Sequence, residues 1–230
     1  MKKLRIGLYC LSSCEGCIVQ ILNLEEELLE MMKYVDIVEC RVLGIRGGEP
    51  VDVAFVEGFV ASRGEERKLV RIREKTKILV AIGDCACSGG KFLIKDFDES
   101  EIRADPLNRF VRVDYYLWGC PIDQKEFFSL VRSILHDRKI QEISRTVCSE
   151  CILYEEECLL DRGVICFGPI TQGGCDALCP RNGRNCIGCR GLSEDANIEA
   201  FIEILQEKGI PLPQYLFRMR ELRRDEGKTH

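Results

Sequence analysis

Apolar runs alternate with amphipathic stretches along the first 138 residues of the chain. The runs are short and rich in Val, Ile and Leu, which is typical of strands that are buried on both faces of a sheet. Because strands that alternate with helices form parallel sheets, the pattern predicts an α/β domain with a mainly parallel sheet. The five predicted strands cover residues 4–10, 35–41, 52–57, 77–82 and 111–118.

Helices are predicted between these strands. A helix over residues 17–32 is indicated by apolar positions that recur every three or four residues. Ser62, followed three residues later by Glu65, forms a capping box that opens a helix reaching about residue 75. Asp123 and Glu126 cap a further helix with an apolar stripe at helical spacing.

The rest of the chain has a different character. Residues from about 140 to 192 hold eight of the fifteen cysteines, with several glycines and few apolar runs. A helical, charged tail follows, with one clear amphipathic helix. Its apolar stripe runs from Ile198 to Leu205, and Gly209 stops the helix. We expect that helix to pack onto the parent fold. The predicted domain boundaries are 1–138, 139–192 and 193–230.

Composition narrows the range of functions. Apolar residues make up 46% of the 230-residue chain, enough for a proper core, so intrinsic disorder is excluded. A net charge of −5 without a basic excess argues against a nucleic-acid partner. No apolar run approaches the roughly 18 residues of a membrane helix, so no membrane span is expected. The chain has only two histidines, and no glycine-rich nucleotide motif follows the first strand.

The fifteen cysteines are the main chemical signal. A disulfide framework fits poorly, because the chain is long, the count is odd and no secretory signal is apparent. We therefore expect a reducing cytoplasm as the setting, where many thiols indicate metal binding.

Four cysteines follow predicted strands, at the edge where α/β sheets bind ligands. N–H groups at the amino ends of helices point to that edge and stabilise thiolates and an anionic cluster. Glycines there allow the backbone to approach closely. Four convergent thiolates fit either zinc or an iron–sulfur cluster, although ligands from three separate loops disfavour a small zinc ribbon. These four are Cys14, Cys17, Cys85 and Cys120.

The eight cysteines of the second half form two further sets of four. Their short connecting loops need a metal core to organise them. Zinc remains an alternative for each set taken alone, but three four-thiolate sites in one small chain favour a path for electrons over structural bracing. The eight are Cys148, Cys151, Cys158, Cys166, Cys175, Cys179, Cys186 and Cys189.

Taken in order, these motifs resemble the small, electron-transferring subunit of nickel–iron hydrogenases. CEGC at residues 14–17 looks like the family's CxGC, and EG at 57–58 matches its strand-ending pair. GDCACSGG at 83–90 looks like GxCAxxGG, and GCP at 119–121 is the same in both. The resemblance implies that Cys14, Cys17, Cys85 and Cys120 hold a proximal 4Fe–4S cluster.

The second half continues the resemblance. CFGPIT at residues 166–171 and CIGC at 186–189 look like the family's CxGPxT and CIGC. By position, the resemblance implies that Cys175, Cys179, Cys186 and Cys189 hold a medial 4Fe–4S cluster. It likewise gives Cys148, Cys151, Cys158 and Cys166 to a distal 4Fe–4S cluster. Cys148 replaces the histidine that many members have, and Cys179 adds a fourth ligand where they have three; both departures are typical of the cytoplasmic branch of the family, which includes sulfhydrogenase δ subunits and F420-non-reducing hydrogenases.

The resemblance implies a flavodoxin-like parallel-sheet domain, then a small, irregular, ferredoxin-like iron–sulfur domain with two clusters, and C-terminal helices. The chain would hold no nickel and would carry electrons from the Ni–Fe centre of a large subunit to a flavin, NAD(P)-binding or ferredoxin-like partner. Glu57 and Glu15 are candidates for groups beside the proximal cluster or at the large-subunit contact. The alternative is a complex-I-like iron–sulfur subunit of another oxidoreductase, and a zinc-stabilised interaction module is a third hypothesis.

Overall fold

The structure is a computed structural model that describes residues 3–23, 25–48, 50–90, 103–139, 143–154, 157–213 and 216. The described residues form two compact units, one that reaches residue 139 and one that begins at residue 143. Among the described residues, no helix combines the length and the apolar character that crossing a membrane requires.

The first unit contains a five-stranded, fully parallel sheet in the order β2-β1-β3-β4-β5. This is the flavodoxin-like order, in which ligands bind at the carboxyl ends of the strands. The predicted α/β, flavodoxin-like fold is therefore confirmed. The strands are β1 (Leu4–Cys10), β2 (Val35–Cys40), β3 (Val51–Glu57), β4 (Thr76–Ile82) and β5 (Tyr115–Leu117).

Helices cover both faces of the sheet. One face packs on α1 and α5, with Ile18, Phe55 and Phe127 in one buried cluster, and the other packs on α3 through Leu69 and Ile72. This two-sided burial explains why the strands read as nearly continuous apolar runs. The helices of this unit are α1 (Gly16–Leu22), α2 (Glu25–Met31), α3 (Arg63–Glu74), α4 (Gly83–Ser88) and α5 (Gln124–Leu135).

Two elements differ from their predictions. The helix predicted over residues 17–32 is two helices, because α1 ends at Leu22 and α2 begins at Glu25. The fifth strand is shorter than predicted because the Asp114 carboxylate accepts the Leu79 N–H at 2.8 Å, where a strand would have offered a backbone carbonyl. Pairing with β4 therefore starts only at Tyr115.

The predicted helix caps are present. Ser62 Oγ accepts the N–H of Glu65 at 3.2 Å, and Asp123 Oδ1 accepts the N–H of Glu126 at 3.0 Å. The Glu65 carboxylate accepts the N–H of Ala61, one residue before the position expected for a capping box.

The second unit has little regular structure. Its cysteine-rich part contains the 3₁₀ helices Val147–Glu150 and Gly168–Ile170 and the four-residue helix α6 (Leu178–Arg181). The tail helix α7 (Ile198–Glu207) buries Phe201 against Phe167, with ring centroids 5.9 Å apart. One apolar cluster therefore includes both α7 and the cysteine-rich part. The three-part division at residues 138 and 192 stays a prediction.

Candidate metal centres

The first-strand loop is fixed to the loop after β3. Leu11 N–H donates to the Glu57 carbonyl at 2.8 Å, and Phe59 N–H donates to the Ser12 carbonyl at 3.1 Å. Gly58 makes this approach possible, since a Cβ there would lie 2.7 Å from the Ser12 oxygen. The loop that carries Cys14 and Cys17 therefore starts from a defined position.

The loops after β4 and β5 are fixed to one another in a similar way. Asp84 N–H donates to the Gly119 carbonyl at 2.8 Å. This bond places Cys85 and Cys120, each one residue further along, at the same edge of the sheet.

The four predicted proximal cysteines lie near one another at this edge. The Cys85 thiol is close enough to Cys14 and Cys120 for negative charge on them to raise its pKa. Negative charge on Cys85 and Cys120 raises the pKa of Cys17 in the same way. Cys17 is buried and Cys85 is partly buried, whereas Cys14 and Cys120 are exposed. The group is thus open to the outside on one side.

Glycines line the inner side of this group. A Cβ would lie 2.6 Å from the Cys17 sulfur at Gly83, 3.0 Å from the Cys85 sulfur at Gly90 and 3.2 Å from the Cys14 sulfur at Gly16. A Cβ closer than about 3 Å is not tolerated, so backbone and sulfur approach as closely as the chain permits. Only glycine at Gly83 and Gly90 lets a cysteine sulfur lie this close to the backbone.

Burial opposes the thiolate form in the metal-free chain. It is the main cause that raises the pKa of Cys85 to about 12, and the negative charges of Asp84 and Cys120 raise it further. Burial also raises the pKa of Cys17 well above its usual range, although the backbone N–H of Ile122 donates to that sulfur. A bound cation would favour the thiolates.

Glu57, one of the two predicted carboxylates, is 2% exposed and contacts the start of α1. Its two carboxylate oxygens accept the N–H groups of Cys17 at 3.2 Å and Ile18 at 3.1 Å. Burial raises the pKa of Glu57, and these two hydrogen bonds oppose the rise. Glu57 therefore fixes the backbone that carries the Cys17 sulfur.

Glu15 lies at the surface side of the same loop. Its backbone is left-handed, with φ of 60°, at the position that precedes α1. Its carboxylate forms an ion pair with Arg41, the residue that follows β2. Glu15 thus ties the loop between Cys14 and Cys17 to a neighbouring strand.

In the second unit, the four predicted distal cysteines line one pocket. Leu159, Leu160 and Pro169 contribute apolar walls to it. Burial raises the pKa of Cys148 to about 12, and the charges of the other thiols raise it further. The four lining cysteines are Cys148, Cys151, Cys158 and Cys166.

Backbone also approaches these sulfurs closely. A Cβ at Gly168 would lie 3.0 Å from the Cys148 sulfur and 3.7 Å from that of Cys166. The Cys166 sulfur accepts the N–H of Cys186 at 3.3 Å. An N–H group that donates to sulfur and a glycine close to sulfur are therefore found here as at the sheet edge.

The predicted medial cysteines are located less completely. Burial raises the pKa of Cys186 to about 11, with Cys166 and then Cys175 adding negative charge nearby. Cys186 therefore lies near both Cys166 of the distal set and Cys175. Cys179 lies in α6, and Cys189 lies in a turn that the N–H of Gly191 closes by donating to the Gly188 carbonyl. The division of the eight cysteines into two sets stays a prediction.

The three remaining cysteines are buried within the sheet unit. Cys87 is 2% exposed and its thiol points to the Ala81 carbonyl at 3.6 Å. Cys10 and Cys40 belong to the apolar cluster beneath α1 and α5. All three therefore pack as small apolar residues do.

Two charged residues beside the cysteines were not identified from the sequence. Arg190, directly after Cys189, is 4% exposed, and Glu150 lies between Cys148 and Cys151 with its carboxylate nearly buried. A charged residue beside a CxxC motif carries no pattern that indicates burial, so only the fold reveals that these two are enclosed.

The residues present fit iron–sulfur clusters in their donor chemistry. The donors are thiols, glycine backbone lies directly against several of the sulfurs, and N–H groups donate to sulfur, which is the usual environment of such clusters. In the described part of the chain, no three Cys, His, Asp or Glu side chains lie close enough together to hold a single metal ion.

Comparisons with known proteins identify the family of the chain. Residues 14–134 match the family model described as NADH ubiquinone oxidoreductase, 20 Kd subunit. The chain is 33% identical over 222 residues to sulfhydrogenase 2 subunit delta of Pyrococcus furiosus, with 89% of this chain and 93% of the relative covered. It is 27% identical to a subunit of the vhu F420-non-reducing hydrogenase of Methanocaldococcus jannaschii, with 83% and 82% covered.

Solved structures share the fold. A [NiFeSe] hydrogenase of Dm. baculatum superposes with a TM-score of 0.64 at 17% identity, covering 83% of this chain and 95% of that chain. An NAD⁺-reducing [NiFe]-hydrogenase gives 0.54 at 24% identity, covering 61% and 95%. The family match and the near full-length relatives together show that the chain belongs to the NADH ubiquinone oxidoreductase 20 Kd subunit family and, within it, to the small subunits of hydrogenases of the sulfhydrogenase and F420-non-reducing type.

Proposed function

We propose that this chain is the electron-transfer small subunit of a cytoplasmic [NiFe] hydrogenase and that it holds three 4Fe–4S clusters. It is a non-catalytic subunit, since hydrogen would be split at the Ni–Fe centre of a large subunit. The relatives that match over most of the chain are named as hydrogenase subunits, which supports this choice.

The observation that carries the proposal is the thiol group at the sheet edge. Three loops that are far apart in sequence bring Cys14, Cys17, Cys85 and Cys120 together, and glycines leave no room for a Cβ beside two of the sulfurs. A fold that needed these thiols only for packing would have no reason to keep backbone so close to them. The pocket lined by four further cysteines supports a second site of the same kind.

We assign the twelve thiols to three sets of four, each of which would hold one cluster. When bound, each cluster would take up and release one electron. The chain's own residues orient the clusters: Glu57 anchors the start of α1, and the Cys186 N–H donates to the Cys166 sulfur. The sets are Cys14, Cys17, Cys85 and Cys120 (proximal), Cys175, Cys179, Cys186 and Cys189 (medial), and Cys148, Cys151, Cys158 and Cys166 (distal).

The open side of the proximal set supports a docking role. Cys14 and Cys120 are exposed in the chain alone, so another subunit would need to cover them to shield a cluster from solvent. We propose that the large subunit does so. Electrons would leave through the second unit to a flavin, NAD(P)-binding or ferredoxin-like subunit.

A second candidate follows from the family's description, which is that of a subunit of NADH ubiquinone oxidoreductase. The matched residues 14–134 cover the sheet unit, whereas the cysteine-rich unit lies beyond them. A complex-I-like partner would therefore account for the first cluster alone. Mass spectrometry of the chains that co-purify distinguishes the two candidates.

Iron content tests the proposal. The complex, purified without air, should contain about twelve irons per copy of this chain, from three sets of four. Cys85→Ala should lose about four of them, because it removes a ligand. Cys87→Ala, two residues away, should lose none, because that thiol points to the Ala81 carbonyl and lies outside the ligand set. Zinc in place of iron, or equal losses in both variants, would contradict the proposal.

A further inference from the structure

Arg190 is a buried cation directly beside a predicted ligand. It follows Cys189 in the chain, and only 4% of it is exposed. Its Nε donates to the carbonyl oxygen of Gly173 at 2.6 Å. The guanidinium therefore connects the segment of Cys189 with the turn that precedes Cys175.

The same peptide group is held at its other end by an acid. The carbonyl of Gly173 and the N–H of Gly174 belong to one peptide bond, and that N–H donates to Glu150 Oε1 at 2.7 Å. Glu150 in turn forms an ion pair with Arg145. A single peptide group thus lies between a buried guanidinium and a carboxylate of opposite charge.

This arrangement is closely packed. A Cβ at Gly173 would lie 2.9 Å from Glu150 Oε1 and 3.0 Å from the Thr146 carbonyl. The Gly173 N–H donates to the Arg145 carbonyl at 2.7 Å, which fixes the turn from a further direction. The position of the guanidinium relative to the segments of Cys175 and Cys189 is therefore well defined.

A fixed positive charge at this place affects reduction. Arginine remains charged at every pH of interest. Charges interact more strongly in a buried site than in water, and adding an electron to a cluster adds one negative charge. The charge of the buried guanidinium itself therefore favours the reduced form.

We infer that Arg190 is a positioning residue that raises the reduction potential of the cluster bound by Cys175 and Cys189. The inference rests on the proposed function, because it requires a cluster at that place. It adds a role for a residue outside the ligand set, and it gives a direction for the effect.

Redox titration followed by EPR, on the complex purified without air, tests the inference. Arg190→Gln removes the charge and should shift the midpoint potential of one cluster to a lower value. Arg190→Lys keeps the charge and should leave that potential close to the wild-type value. Arg184→Gln is the matched control, because it removes an equal charge two residues from Cys186 at an exposed position, where solvent screens it.

Unchanged potentials in Arg190→Gln would overturn the inference, as would an equal shift in Arg190→Lys. If Arg190→Gln fails to hold the cluster, Arg190→Lys decides the matter: a retained cluster at the wild-type potential supports the inference, and its loss overturns it. Failure of the proposed function is seen separately, as wild-type complex without iron or cluster signals.

Discussion

Three glycines determine how closely the backbone approaches the cysteine sulfurs at the sheet edge. Gly83 is the tightest of them, since its missing Cβ would lie 2.6 Å from the sulfur of Cys17. A free thiol could rotate away from such a contact, whereas a sulfur that is bound to iron is held in place. A side chain at Gly83 should therefore interfere mainly with the binding of iron and less with folding of the metal-free chain.

Gly83→Ala should lose the iron of one cluster, because the new methyl group and the Cys17 sulfur compete for the same space. Gly44→Ala is the matched control: its φ of +71° is close to the +80° of Gly83, but no atom lies within 4 Å of its Cβ position. Both variants carry backbone strain of about 1–3 kcal/mol. Iron analysis should show a loss of about four in the first and none in the second.

Full iron content in Gly83→Ala would contradict the close fit between Gly83 and the Cys17 sulfur. Equal losses in both variants would show that backbone strain, and not contact with the sulfur, governs occupancy.

Single residues differed in how far the sequence could locate them. The position of Cys14, Cys85 and Cys120 could be predicted because a residue just after a parallel strand must lie at the carboxyl edge. The burial of Arg190 could not, because it depends on a carbonyl seventeen positions away. Glu57 was recognised as important, but its contact with the amino end of α1 needed the structure.

Regular elements were predicted where local chemistry decides them. The strand positions and the caps of α3 and α5 follow from apolar runs and from Ser62 and Asp123. The break between α1 and α2 was missed because neither glycine nor proline occurs in residues 17–32. The run of glutamates at residues 25–27 was an available signal, since acids favour the first turn of a helix.

The cap of α3 offers a test of local stability. Ser62→Ala should destabilise α3 by about 1 kcal/mol, because the N–H of Glu65 loses its acceptor. Faster amide hydrogen exchange in the first turn of α3 should report this loss. Ser129→Ala, at an exposed position of α5, is the control and should change exchange little. Unchanged exchange in α3 would show that the cap contributes nothing.

The chain as a whole has separate apolar cores for its two units. Phe127 and Phe55 pack in the sheet unit with ring centroids 5.1 Å apart, while Phe167 and Phe201 pack in the cysteine-rich unit. The packing of the tail helix with the cysteine-rich part could not be predicted in detail, since its apolar stripe fits any apolar surface. Irregular loops lack the periodicity from which such contacts are inferred.

Phe201→Ala should remove iron from the second unit and leave the sheet-edge cluster in place. Truncating a buried phenylalanine costs about 3–5 kcal/mol, and here the cost falls on the core beside Cys166. Phe127→Ala is the reciprocal variant and should affect the sheet-edge cluster first. Iron analysis with EPR of both proteins separates the two outcomes, and loss of the same cluster in both would contradict the separation of the cores.

The exposure of Cys14 and Cys120 has a consequence for the lifetime of the protein. A small oxidant in solution can reach these two residues without any part of the fold opening, so their oxidation does not wait for local unfolding. The core can therefore remain folded while the exposed cysteines are oxidised. A neighbouring subunit bound there would therefore protect them from oxidation, and the isolated chain would be sensitive to air.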